Sequence, residues 1–292
     1  MKKTQPIIAG IDFSSPSENV LKHAVHAGRA AGVPVIAVHV LCASHLHHWG
    51  KSAGEAEAAL EKEALEKLEA LVESTVPGES VQCVVCTGRA ADELDRLTKE
   101  HDAGMLVIAA NDMSKRRLGT IASRCVRLVP SDVLLVRDWQ EGDFKKIIVC
   151  TDFSVSSNTI LEKAITEAEA NGALLEIVHV IYPPNKDIWG KTLEGGESDT
   201  ATYVAKVRAQ TQEQMDQSLA DFADRLKGIT HTTKILESVV PSVELTYHIN
   251  ESDADLAVLG TRRQSKLASM FIGTNAERLM HDSEVSVLAV RC

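Results

Sequence analysis

Short, almost wholly apolar runs alternate along the chain with longer stretches in which apolar residues recur every three to four positions. IIAGID (7–12), VPVIAVHVL (33–41), VQCVVC (81–86), MLVIAA (105–110) and VLLVR (133–137) are strands by length and content. Between them, Ser14 to Ala31, Gly54 to Val76, Arg89 to His101 and Gly119 to Leu128 carry helical spacing, and the first opens on Ser and Pro. The first, second and fourth strands are apolar on both faces, as strands become when helices cover both sides of a sheet. Alternating strands and helices of this kind predict a parallel, doubly wound α/β sheet. Ligands of such sheets lie beyond the carboxyl ends of the strands.

The same pattern then repeats. PIIAGIDFSSPSENVLKHAVHAGRAAGVPVIAVHV from Pro6 matches KIIVCTDFSVSSNTILEKAITEAEANGALLEIVHV from Lys146. Asp12 matches Asp152, His39 matches His179 and Trp49-Gly50-Lys51 matches Trp189-Gly190-Lys191, each at an offset of 140. Further on, Gly119-Thr120 matches Gly273-Thr274 at 154, and LLVR (134–137) matches LAVR (288–291) at the same offset. The expectation is two tandem five-stranded domains, residues 1–138 and 144–292, joined by the short polar stretch DWQEGDF.

Composition changes this picture little. The 292 residues are 44% hydrophobic and 25% charged, and carry a net charge of -10. Residues 1–143 hold 16 basic and 20 acidic groups and residues 144–292 hold 15 and 21, so neither half is a basic nucleic-acid module. No apolar run has membrane-spanning length and MKKTQPIIAG has no signal-peptide core, so a cytoplasmic protein is expected. The six scattered cysteines are no disulfide framework. Cys83 and Cys86 have C-x-x-C spacing but sit on a strand, where residues three apart face opposite ways.

The candidate chemistry gathers at the strand ends. Asp12 and Asp152 follow the first strand of each half, where a carboxylate can accept from a ribose or base, or cap the next helix. In the second half, Leu259-Gly260 ends a strand. TRRQSKLASMFI follows, with Arg262, Arg263 and Lys266, and then Gly273-Thr274 opens a helix. A glycine, free helix N–H groups and cations suit a bound anion. In the first half, Ala110 stands against Gly260, the loop is four residues shorter, and Lys115, Arg116 and Arg117 precede Gly119. That site reads as degenerate. His45, His47 and His48 could share a zinc ion or form a solvated loop. Trp49 and Trp189 could cover a ligand or pack. His39 and His179 read as strand-end histidines. No G-x-S-x-G elbow, H-E-x-x-H or nucleophile–base pair occurs, so no turnover is expected beyond weak hydrolysis of a bound phosphate ligand.

The strand–DFS–helix opening, the IVHV strand and the closing G…GT…helix…VLAVR block resemble the universal stress proteins, twice over nearly the whole chain. The resemblance implies a Rossmann-like, adenine-nucleotide alpha hydrolase-like fold of strand order 3-2-1-4-5. It also implies a stress-response regulator that binds ATP, with magnesium or manganese as counter-ion. The ATP-binding branch reads G-x2-G-x9-G-[S/T] in the last loop. Here Gly260, Arg263 and Gly273-Thr274 hold that spacing, with Arg263 in place of the second glycine. By resemblance Asp152 meets adenine or ribose and the backbone of Val180 meets adenine. Gly260, Gly273, Thr274 and Asn275 line the phosphates, with Arg262 and Arg263 as added cations. The resemblance further implies pairing of the two last strands as an internal pseudo-dimer, and a homodimer of chains. A scaffold without nucleotide, or a carrier of another small anionic or lipid-like ligand, are the alternatives.

Overall fold

The computed structural model describes residues 5–42, 53–112, 115–137, 143–154, 156–182, 197–261 and 274–292. Two compact units emerge. The first holds residues 1–143 together with 261–272 and 284–291, and the second holds 144–260, 273–283 and 292.

In the first unit, β1 (Ile7–Ile11) leads to α1 (Ser17–Ala31), then β2 (Val35–Cys42), α2 (Ala53–Thr75), β3 (Val81–Gly88), α3 (Ala90–Glu100) and β4 (Met105–Ala109). A hairpin of β5 (Asn111–Asp112) and β6 (Lys115–Leu118) precedes α4 (Thr120–Leu128) and β7 (Asp132–Val136). The principal strands run β3-β2-β1-β4-β7, all parallel. This is the expected order 3-2-1-4-5. Ile8, Leu106, Val107 and Leu135 are fully buried, which is why these strands read as unbroken apolar runs.

In the second unit, β8 (Lys146–Cys150), α5 (Ser157–Asn171), β9 (Leu174–Ile181), α6 (Glu197–Ala220), α7 (Ala223–Leu226), β10 (His231–Glu237), α8 (Pro241–Glu251), β11 (Leu256–Thr261) and α9 (Thr274–Asp282) follow. Here β10-β9-β8-β11 are parallel in that order. Both α1 and α5 stop at a glycine in the left-handed region, Gly32 at φ 65° and Gly172 at φ 62°. Only glycine takes that conformation without cost, and so it ends a helix cleanly.

The last strand is β12 (Ser286–Arg291). It belongs to the first unit by its contacts and lies antiparallel on β7, with Val287 opposite Leu135 and Leu288 opposite Leu134. Side chains fix this register. Arg291 N–H donates to Asp132 Oδ1 (2.8 Å), and Arg137 N–H donates to Ser286 Oγ (3.1 Å). The Arg291 guanidinium donates to the carbonyls of Val126 and Arg127 (3.0 and 3.1 Å), which satisfies the last turn of α4. Arg137, with no exposed surface, donates through Nε to the Val285 carbonyl, and burial pulls its pKa down to about 10.

Each unit also buries polar groups of its own. In the second, Glu176 on β9 is 7% exposed and lies 3.3 Å from Lys146 Nζ of β8. His248 of α8 donates from Nε2 to Glu176 Oε1 (3.2 Å) and accepts at Nδ1 from Lys234 of β10 (3.4 Å). In the first, His23 of α1 is 6% exposed, and its neighbour His26 lies 3.3 Å from Asp143. Burial, with the nearby His26 adding to it, holds the His23 pKa down at about 4, against a pull upward from Asp143.

Candidate functional site

At the carboxyl end of the first strand of each unit the chain makes the same strained turn. Phe13 and Phe153 are non-glycine residues in the left-handed region, at φ 61° and 55°, a conformation that costs on the order of 1–3 kcal/mol. Two sets of contacts hold it. The carboxylate of Asp12 accepts at Oδ1 from Ser14 N–H (3.0 Å), from the Ser14 hydroxyl and from Ser17 Oγ (3.1 Å). Asp152 accepts likewise from Ser154 N–H (2.9 Å) and Ser157 Oγ (3.1 Å). Each phenyl ring lies against the histidine of the second strand, Phe13 on His39 at 4.4 Å and Phe153 on His179 at 4.5 Å. The histidine Nδ1 donates to the carbonyl preceding the aspartate, Ile11 or Thr151, at 2.8 Å in both units. The helix N-cap positions are Pro16 and Ser156, so the aspartates brace the turn rather than cap the helix. The Phe–His pair escaped the sequence reading, although DF…H recurs at one offset and marks it.

In the first unit this turn opens on a cleft of about 600 Å³. Ile11, Val38, Val40 and Ile108 give it apolar walls, and among the described residues Asp12, His39, Arg89 and Arg124 are its charged and imidazole groups. The volume is that of a small-molecule site. Its far side is the start of α4, where Gly119 N–H donates to the Ala110 carbonyl (2.8 Å) and Asn111 pairs with Leu118. The segment expected to be a shortened phosphate loop is therefore drawn into a hairpin. The Arg124 guanidinium is held by Asp92 at 2.7 Å.

In the second unit the register brings Asp152, Val180 and Gly260 to one end of the sheet, because β8 lies between β9 and β11. Asp152 is exposed and Val180 half-buried. Thr274 opens α9 and Asn275 is exposed on its first turn. Arg262, Arg263, Lys266 and Gly273 lie outside the described residues, as do His45, His47, His48, Trp49 and Trp189. Among the described residues no group of three or more His, Cys, Asp or Glu is placed to hold a metal ion, and no helix is long and apolar enough to cross a membrane. Cys83 and Cys86 are half-buried on β3, and burial raises both thiols, Cys86 to about 11, which is the reverse of a redox pair.

The register also corrects the match of Gly260 to Ala110. Ile7 of β1 pairs with Met105 and Ile147 of β8 pairs with Leu256, so β4 and β11 correspond at an offset of 151. Gly260 therefore answers to Ala109, and the second loop is longer by three residues, from 151 to 154, rather than four. Adjacent alanines at 109 and 110 hid the slip. The glycine has a packing role here: a Cβ at Gly260 would stand 2.4 Å from Ile160 Cδ1 on α5. At the matching place on α1 the first unit has Val20, which lacks that δ carbon and is fully buried. Gly260→Ala should therefore cost about 1–2 kcal/mol by overpacking, and Ile160→Val in the same chain should recover most of it. Urea unfolding of the four chains of that cycle checks this, and additive losses would refute the pairing.

The comparisons agree with this geometry. The family model described as "Universal stress protein family" matches residues 3–137 and again 143–291. The "Universal stress protein in QAH/OAS sulfhydrylase 3'region" of Thermus aquaticus is 28% identical over 149 residues, which are 51% of this chain and 99% of that one. Among solved structures, a universal stress protein from Archaeoglobus fulgidus aligns over 100% of this chain and 99% of its own at a TM-score of 0.66 and 18% identity. A functionally unknown protein from Pseudomonas aeruginosa PAO1 aligns over 99% and 92% at 0.65 and 15%. With two family matches and this Rossmann-like architecture, the chain belongs to the universal stress protein family.

Proposed function

We propose that the protein is a stress-response regulator that binds adenine nucleotide in residues 144–292 and acts through ligand-dependent conformation or assembly rather than turnover. The observation that carries this reading is the braced turn at Asp152. It leaves a carboxylate exposed at the centre of the strand ends, flanked by the half-buried Val180 backbone, with Thr274 opening a helix on the same unit. These residues fit an adenosine body with its phosphates toward the helix start, where amide groups and the helix dipole favour anions. ATP is the ligand, and magnesium or manganese on its phosphates supplies charge neutralisation. Such a chain works in the cytoplasm, and its chains associate as homodimers.

Isothermal titration of ATP tests the site. Gly273→Val should weaken binding by about 2 kcal/mol or more, the scale of charge-assisted hydrogen bonds lost when a side chain blocks the phosphates. Gly119→Val should leave ATP affinity unchanged. Equal losses, or a parent chain without affinity, would overturn the assignment. Arg263→Gly should loosen ATP and flatten its salt dependence if Arg263 donates to phosphate, as the neighbouring cations suggest.

One observation favours a second reading, a scaffold without nucleotide. Val239, Val240, Val243 and Tyr247 form an exposed apolar stripe at the start of α8, where the first unit carries Gly88, Arg89, Asp92 and Arg96. Native mass spectrometry separates the readings: a bound adenine nucleotide supports the first, and a chain that stays ligand-free with added ATP supports the second.

A further inference from the structure

The duplication gives the exposed stripe on α8 an internal control. Five of the six large apolar side chains exposed among the described residues, Tyr182, Val239, Val240, Val243 and Tyr247, lie at the carboxyl ends of β9 and β10 and along α8. That concentration sets this face apart from the scattered apolar residues of an ordinary surface. Helices α3 and α8 have 11 residues each and correspond at the offset of 151. On α3 the matching positions form a closed charge network. Arg96 donates to Glu93 Oε2 (2.9 Å) and to Glu100 Oε2 (2.6 Å), and Arg124 of α4 donates to Asp92 Oδ1 (2.7 Å). On α8 both glutamates persist, as Glu244 and Glu251, but Tyr247 stands in place of Arg96 and Val243 in place of Asp92. Arg278, which answers to Arg124 at the offset of 154, lies 3.6 Å from Asp282 of its own helix. Among the described residues, neither Glu244 nor Glu251 has an ion pair or a side-chain hydrogen bond. The second unit therefore keeps both acceptors of a guanidinium and lacks the guanidinium.

The spacing adds a direction. Val240, Val243 and Tyr247, at i, i+3 and i+7, make one stripe of a helix. Glu244 and Glu251 follow Val240 and Tyr247 by four residues each, so both carboxylates flank that stripe on one side.

We propose that this face of α8 is a docking surface for an amphipathic helix of another polypeptide. Its apolar stripe covers Val240, Val243 and Tyr247, and its basic residue takes in trans the place that Arg96 holds in the first unit. A cation there meets two carboxylates and the Tyr247 ring together. Charge decides among the occupants. A second copy would set the same uncompensated carboxylates against each other, in a chain whose net charge is -10. An anionic lipid surface would be repelled in the same way. A helix with a cation on an apolar stripe satisfies both halves of the surface. The surface does not depend on whether the strand ends hold a nucleotide.

A displayed library of helical peptides, selected on the full chain, tests this. Recovered peptides should carry an arginine or lysine beside an apolar stripe. Tyr247→Arg in the full chain rebuilds the first unit's network in cis. It should leave the urea midpoint no lower, and it should weaken a recovered peptide about a hundredfold by fluorescence anisotropy, the scale of a lost aromatic anchor. Glu244→Gln with Glu251→Gln should weaken the same peptide about tenfold, and should leave unchanged the affinity of that peptide with its basic residue replaced by norleucine. Recovered peptides without a basic residue, no recovery at all, or a peptide that the Tyr247→Arg chain holds undiminished would overturn the proposal. So would a parent chain that sediments as a dimer and becomes monomeric with Tyr247→Arg, since the face would then belong to a second copy.

Discussion

Glu176→Ala should destabilise the protein by about 2–3 kcal/mol, the scale of a lost charge-assisted pair whose carboxylate is buried and whose Lys146 partner is 28% exposed. The carboxylate is 7% exposed, with Lys146 Nζ at 3.3 Å and the His248 Nε2 donor at 3.2 Å. Without it His248 loses its acceptor, and Lys146 keeps only its bond to the Ser252 carbonyl (2.7 Å). The first unit shows that the fold does not require these charges. Ile36 takes the place of Glu176, and Leu97, at the offset of 151, takes the place of His248; both are buried. The double change Glu176→Ile with His248→Leu should therefore restore most of the loss, since apolar residues of similar volume commonly replace a buried pair at no net cost. Urea denaturation of both chains measures the two values. A double variant as unstable as the single one would mean that the charges hold α8 on the sheet in a way that packing cannot.

Acid should unfold the first unit through His23. Its pKa is held down at about 4, against an ordinary 6.5, chiefly by burial and then by His26. The unfolded chain thus binds a proton near pH 6.5 that the folded chain refuses until about pH 4. Between these values the unfolded state carries more protons, so stability rises with pH. The contribution is complete above about pH 6.5 and is lost as pH falls toward 4. A shift of that size corresponds to about 3 kcal/mol. His23→Leu should remove most of this dependence. Thermal midpoints between pH 7 and pH 4 that fall as steeply in His23→Leu as in the parent would assign the acid sensitivity to other groups.

How far the sequence disclosed this protein depended on which interactions leave a period. Strands buried on both faces are apolar throughout, so IIAGI, VIAVHV and their counterparts 140 residues on were legible at once. Asp12 and Asp152 stood out because the turn they brace repeats. What stayed hidden was local competition and partnership at a distance. Nothing in KRRL announced a β6 strand, whose ladder with β5 is closed by the Gly119 N–H on the Ala110 carbonyl. The one-residue slip at Ala109 could be seen only through strand pairing. Glu176 sat in a run of apolar residues as an apparent misfit, since its partners come from β8 and α8, 30 and 72 residues away.

The placement of β12 sets a clock on biosynthesis. Leu135 of β7 finds its partner Val287 only 152 residues later. At a ribosome's pace of about 5–20 residues per second, that is roughly 8–30 seconds during which the first unit has all its parallel strands while the β7 edge stays bare. For the same interval Arg137 lacks the Val285 carbonyl and the Ser286 hydroxyl that hold it in place. A bare apolar edge pairs with whatever strand is nearest, and on a crowded polysome that is the same edge of a neighbouring nascent chain. β12 therefore serves the first unit as its own shield, delivered late and in cis.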